Sequence, residues 1–207
     1  MVSRRQLLAR GAGLVTLPLL ARAALALAPA SPPLYKVIID RRFAASRAFG
    51  RAAAFAGVPV HAMSGDVTQV WYHDLGPTWR RSPLPVAGLT AEGAIFCLER
   101  LAWDAGMRVA FRGVHTLAAG QWTHELEGPQ PLIAALREEW PSGGDWAYGL
   151  SRFTAQCTAA PRGARARSSC ASTARAGEPP AADPSADWPL ISWVIAPQRR
   201  AVAAVRA

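Results

Sequence analysis

Cysteine is scarce, with three in 207 residues, too few to staple a disulfide-built scaffold. Charge is scarce as well. Only 18% of the residues are charged while 51% are hydrophobic, a balance that excludes disorder along the whole chain and supplies the core of one domain of ordinary size. No Gly-x-Gly-x-x-Gly or Walker sequence follows any strand-like segment, so a nucleotide or dinucleotide fingerprint is absent and no cofactor is indicated by motif. Acidic residues are missing altogether from residues 1–30, which hold four Arg. The net charge of +9 is therefore uneven: residues 31–154 carry twelve bases against eleven acids, and residues 155–207 seven Arg against three acids. An excess confined to the two ends, around a nearly neutral middle, argues against a nucleic-acid-binding face.

The N-terminus has the three-part layout of an export signal. Ser3-Arg4-Arg5-Gln6-Leu7-Leu8 precedes the apolar stretch Gly11 to Leu20, and an Ala-rich segment then ends in Ala28-Pro29-Ala30. The apolar core, interrupted by Pro18, is far shorter than the roughly twenty residues that cross a bilayer, so no permanent membrane anchor is expected. The segment resembles a twin-arginine signal of the Ser/Thr-Arg-Arg-x-Phe-Leu-Lys pattern, with Leu7 in place of Phe and Ala9 in place of Lys. That resemblance implies recognition of Arg4 and Arg5 by the twin-arginine translocation machinery, passage of an already folded chain, cleavage near Ala30 and a periplasmic destination. It also permits a cofactor taken up before export, without naming one. It covers residues 1–30 only.

Beyond the signal, strand-like and helix-like patterns alternate. Leu34 to Ile39 is a β-branched apolar run suited to a buried strand. Apolar residues from Ala45 to Ala56 recur at helical spacing, with Asp40 available as N-cap and Gly57 as the stop. Val58 to Met63 reads as a second strand, and Asp66 with Gln69 resembles a capping box for a helix that Gly76-Pro77 ends. Leu84 to Gly88 reads as a third strand. Thr90 then caps a helix with Ile95, Leu98, Leu101 and Ala102 inward, in which Cys97 is expected to be buried and inert. Arg108 to Arg112 is a fourth strand, Gln121 to Glu127 a further one, and Pro131 to Trp140 a helix. This succession predicts an α/β three-layer sandwich with a mainly parallel, flavodoxin-like sheet over residues 31–154. Residues 155–187, rich in Ala, Arg, Ser, Pro and Gly, read as a disordered insert, and residues 188–207 as a final strand with a basic tail.

In such a sheet the functional edge lies beyond the carboxyl ends of the strands. The residues expected there are Asp40, Arg41, Ser64, Asp66, Thr90, Arg112 and His115. Ser64, His115 and an acid, Asp40 or Asp66, have the chemistry of a nucleophile, base and orienter, although no Gly-x-Ser-x-Gly elbow surrounds Ser64. Arg41, Thr90 and Arg112 supply groups that hold a ligand. As caps alone, Asp40, Asp66 and Thr90 would do none of this. No histidine pair has helical metal-ligand spacing, so no metal site is indicated. His115 and His124 face each other if the hairpin has a four-residue loop at 118–121, and point to opposite sides if it has a three-residue loop at 118–120. Two functions follow: a periplasmic binding or accessory module for a protein partner or a small molecule, or a small periplasmic hydrolase using Asp40, Ser64, Asp66 and His115.

Overall fold

The structure is a computed structural model and describes residues 33–138, 140, 146–158, 163–173 and 188–198. Arg4 and Arg5, and with them the signal, lie outside the described residues. In chain order the elements are β1 (Lys36–Asp40), α1 (Ala44–Phe55), β2 (Val60–Met63), α2 (Thr68–Val70), a π-helical turn (Trp71–Leu75) and α3 (Gly76–Arg81). They continue with β3 (Val86–Ala91), α4 (Glu92–Asp104), β4 (Met107–Ala118), β5 (Gln121–Pro129), α5 (Gln130–Glu138), α6 (Trp146–Thr154), β6 (Arg165–Thr173) and β7 (Leu190–Pro197).

Among the described residues seven strands form one sheet in the order β2-β1-β3-β7-β4-β5-β6, so the fold is α/β. Strand β1 pairs in parallel with β2 and with β3. The β3–β7, β7–β4, β4–β5 and β5–β6 ladders are antiparallel. The expected mainly parallel, flavodoxin-like sheet is thus replaced by a mixed sheet, mostly antiparallel. The reason is β7. Because β7 runs antiparallel to both β3 and β4, those two strands still point the same way, as a helix-linked crossover requires, but the last described strand separates them.

Helices cover both faces. On one, Phe49 of α1, Ile133 and Leu136 of α5 and Leu150 of α6 pack on Val37, Leu89, Phe111 and Val194. On the other, Ile95 and Leu98 of α4 and Leu75 and Trp79 pack on Ile38, Val86, Trp193 and Ile195. Strand β7 is buried throughout, apart from half-buried Pro197, as expected of a central strand covered on both sides. Its Trp193 pairs with Gly88 of β3. A Cβ at residue 88 would overlap that indole and come within 2.7 Å of the Ile38 carbonyl, so glycine is required there by space.

Three local expectations are corrected. The helix after Asp66 does not end at Gly76-Pro77. The Gly76 N–H bonds to the Trp71 carbonyl across a π turn, and this widened turn accommodates the proline, which lacks an N–H, before α3 continues. Asp74 in that turn accepts from the Tyr35 hydroxyl at 2.7 Å and pairs with Lys36, tying the turn to the start of β1. Second, residues 165–173 of the expected disordered insert form β6 at the sheet edge. Their composition suits an edge strand: Ala166, Ser168, Cys170 and Ser172 alternate inward, while the intervening residues from Arg165 to Ala171 are exposed, and Arg165 and Arg167 both pair with Glu127 at 3.1 Å. Small inward side chains suffice where backbone hydrogen bonds supply the pairing. Third, Cys97 is exposed, because α4 turns Ala94, Ile95, Leu98 and Ala102 inward instead.

Candidate functional site

The carboxyl ends of β1 and β3 are hydrogen-bonded neighbours from which the chain departs in opposite directions. From β1 it passes through α1 on one face to β2. From β3 it passes through α4 on the other face to β4, beyond β7. Such a divergence leaves a crevice above the sheet, the usual ligand position in open α/β sheets. An open crevice of about 490 Å³ lies there, lined by Arg42 and Phe43 after β1, Glu92, Gly93 and Phe96 of α4, and Trp188 ahead of β7. Its size falls in the range of small-molecule sites. Phe96 and Trp188 are 57% and 63% exposed, an unusual placement for two large apolar side chains at the mouth of one cavity.

The floor is rigid. Asp40, the last residue of β1, is fully buried. Its carboxylate accepts from the Arg42 N–H at 3.2 Å, from Arg42 Nε at 2.9 Å and from Arg42 Nη2 at 2.6 Å. This pairing raises the Arg42 guanidinium above its ordinary value, the hydrogen bond from Asp40 being the main cause. The Asp40 N–H donates to Ser46 Oγ at 2.9 Å, and the Ser46 hydroxyl donates to the Leu89 carbonyl, linking the ends of β1, α1 and β3. Asp40 is therefore not the helix cap that the sequence suggested. The cap position is Phe43, which has no capping hydrogen bond from its side chain.

The other expected site residues are dispersed. Arg41 Nε donates to Ser64 Oγ at 2.6 Å at the exposed ends of β1 and β2. Asp66 accepts from the Thr68 N–H at 2.8 Å, and hydrogen bonding to Thr68 holds its carboxyl below the usual range. Thr90 lies inside β3, fully buried. It accepts from Trp193 Nε1 at 3.1 Å and donates to the Ala91 carbonyl at 3.1 Å. Arg112, expected to end a strand, and His115, expected just beyond it, are both interior residues of the long strand β4. Arg112 Nη2 reaches Glu99 of α4 at 2.5 Å. Ser64 and His115 are separated by the width of β1, β3 and β7, four strand spacings or about 19 Å. The structure brings Asp40, Arg41 and Ser64 to one edge and leaves His115 away from them.

His115 belongs to a different constellation. The loop is two residues, 119 and 120, rather than the expected four, because Ala118 and Gln121 already pair; the register is the same and sets His115 opposite His124 across β4 and β5. Ala119 and Gly120 are both at positive φ, of 50° and 74°, as a tight hairpin requires. The two Nδ1 atoms are 2.8 Å apart, His115 Nε2 lies 2.7 Å from Ser192 Oγ, and His124 Nε2 lies 2.8 Å from Ser172 Oγ. The four residues form one buried chain, with Trp146 against both rings at 4.4 and 4.7 Å between centroids. A Cβ at Gly113 would come within 2.5 Å of Ser192 Oγ, so glycine makes room for it. Burial pushes His115 well below its ordinary value, with His124 adding to the effect, and burial lowers His124 to about 4. Both rings are neutral at pH 7. Among the described residues no group of three or more His, Cys, Asp or Glu is arranged to hold a metal ion.

The crevice residues Glu92, Phe96 and Trp188 were not among the sequence candidates. One signal was present: Phe96 falls off the inward stripe of its helix. The Ser172 and Ser192 partners left no sequence mark, because each is brought in by strand pairing across a long separation. No protein-family model, no curated protein and no solved structure matches this chain.

Proposed function

We propose that the protein is an exported binding or accessory module whose ligand site is the crevice between the carboxyl ends of β1 and β3. One observation carries the reading: an aromatic-walled cavity of about 490 Å³ stands at the point where the connections diverge, over a floor tied together by Asp40, Arg42 and Ser46. Rigid polar groups beneath an apolar wall are what a small-molecule site needs, since little ordering is left for the ligand to bring about. Export rests on the resemblance of residues 1–30 to a twin-arginine signal. The hydrolase alternative lacks comparable support, because its nucleophile and base stand on well-separated strands.

The test is a nuclear magnetic resonance titration of the purified protein with small aromatic compounds at millimolar concentration. Chemical-shift changes are expected at Glu92, Gly93 and the Trp188 indole, and should vanish in a Phe96→Ala/Trp188→Ala variant. Shifts elsewhere, with these residues silent, would remove the crevice from consideration.

A further inference from the structure

We propose that the occupant of the crevice is a zwitterion with an apolar body, namely a free α-amino acid carrying an aromatic or large aliphatic side chain. The inference rests on the binding reading above and adds the charge pattern to it. Two opposite charges line the cavity, Arg42 on the β1 side and Glu92 at the start of α4. No ion pair joins them, and Glu92 has no hydrogen-bond or ion-pair partner among the described residues. Asp40 already balances the Arg42 charge, so what the cavity offers is the unused guanidinium donors at one end and the unpartnered Glu92 carboxylate at the other, a pattern that favours a ligand carrying both a carboxylate and an ammonium.

The Arg42 end is prepared for a carboxylate. A guanidinium has five N–H donors, and Asp40 takes only those on Nε and Nη2. The remaining donors are held in a fixed orientation, because Arg42 is anchored to a fully buried acid. It is also pressed against Gly65, where a Cβ would stand 2.6 Å from Nη2. Planar, preset donors suit bidentate recognition of a carboxylate. A ligand with only a carboxylate would meet the Arg42 donors but also the repulsion of Glu92, and a ligand with only an amine would meet Glu92 and leave the Arg42 donors unused. An α-amino acid places its two charges on one carbon and sends its side chain away from them, which here means along Phe96 and Trp188. Gly93 leaves the first turn of α4 without a side chain, and a Cβ there would touch nothing within 4 Å, so the space beside Glu92 is open.

The test uses four compounds that share a phenyl ring: phenylalanine, 3-phenylpropionate lacking the amine, 2-phenylethylamine lacking the carboxylate, and uncharged 2-phenylethanol. Affinities are read by calorimetry or equilibrium dialysis on the full-length protein. Phenylalanine is expected to bind at least about tenfold more tightly than either singly charged analogue. Glu92→Gln should reduce phenylalanine to the level of 3-phenylpropionate. Asp40→Asn/Arg42→Gln, which removes both members of the ion pair and so leaves no orphaned charge, should reduce it to the level of 2-phenylethylamine.

A singly charged analogue that binds as tightly as phenylalanine would overturn the zwitterion assignment. If Trp188→Ala still weakened that analogue, the crevice would remain a binding site. If none of the four bound at millimolar concentration, the assignment and the binding reading would fall together.

Discussion

His115 and His124 meet Nδ1 to Nδ1 at 2.8 Å, so one ring must donate and the other accept. With both rings neutral, the chain from Ser192 to Ser172 is satisfied in either direction, each histidine carrying one proton. A second positive charge cannot be placed on the pair, because two N–H groups would then point at each other. The contact therefore tolerates one added proton at most, and burial opposes even that one.

Its pH consequence has a definite sign. The folded values lie below the ordinary 6.5, at about 4 for His124 and well below 6.5 for His115. The unfolded chain thus takes up protons first as pH falls. Stability is full above about pH 7 and is lost progressively between about pH 6.5 and 4, by roughly 3 kcal/mol at pH 4 for His124 alone. Urea unfolding midpoints measured from pH 7.5 to 4 should fall along this course. A His115→Gln/His124→Gln variant should show a flatter profile, and an equally steep one would place the acid sensitivity elsewhere.

Gly88 is a point of close packing. Gly88→Ala pushes a methyl into the Trp193 indole and toward the Ile38 carbonyl, an overpacking that should cost about 1–3 kcal/mol. Trp193→Phe in the same chain should recover part of that loss while removing the bond to Thr90. Additive effects in denaturant unfolding would contradict the contact.

How much of this was legible depended on whether a feature is local. Strand β1 and helix α4 follow from apolar periodicity, because the side chains that Val37, Ile38, Ile95 and Leu98 bury are set by neighbours in sequence. The His115–His124 pair was legible as one of two alternatives, since a single residue of turn length decides it. Strand β6 was not, because an edge strand lined with Ala, Ser and Cys has the composition of a solvated segment. The position of β7 between β3 and β4 was hidden for another reason: local pattern says what a strand buries, not where in the sheet it enters. The crevice inherits that difficulty, since Trp188 reaches it only because β7 is central.

Arg42 and Asp40 should behave unequally. Arg42→Met leaves a buried carboxylate without its cation and should destabilise the protein by about 1–3 kcal/mol, because Arg42 is itself 45% exposed and water can replace part of what it supplies. Removing both charges in Asp40→Asn/Arg42→Met leaves only the loss of hydrogen bonding and should cost distinctly less. Thermal or urea unfolding of the two variants checks the order, and a double variant less stable than the single one would contradict it.

Export is tested at the signal. Arg4→Lys/Arg5→Lys should leave full-length precursor in the cytoplasm, as fractionation and immunoblotting would show. Normal periplasmic accumulation of this variant would refute twin-arginine routing, with the binding proposal unaffected.

The central position of β7 also dictates an order of assembly. Until residues 190–197 have been synthesised, the other strands can pair only as two separate groups, β2-β1-β3 and β4-β5-β6, each with a row of unpaired backbone groups along its inner edge. Closing them joins partners as distant as Thr90 and Trp193, 103 positions apart, a non-local step that is slow and leaves edges open to wrong pairing in the meantime. The growing chain cannot finish its core early. Trp188 arrives with the same strand, so the wall of the crevice is raised only when the last gap in the sheet is filled.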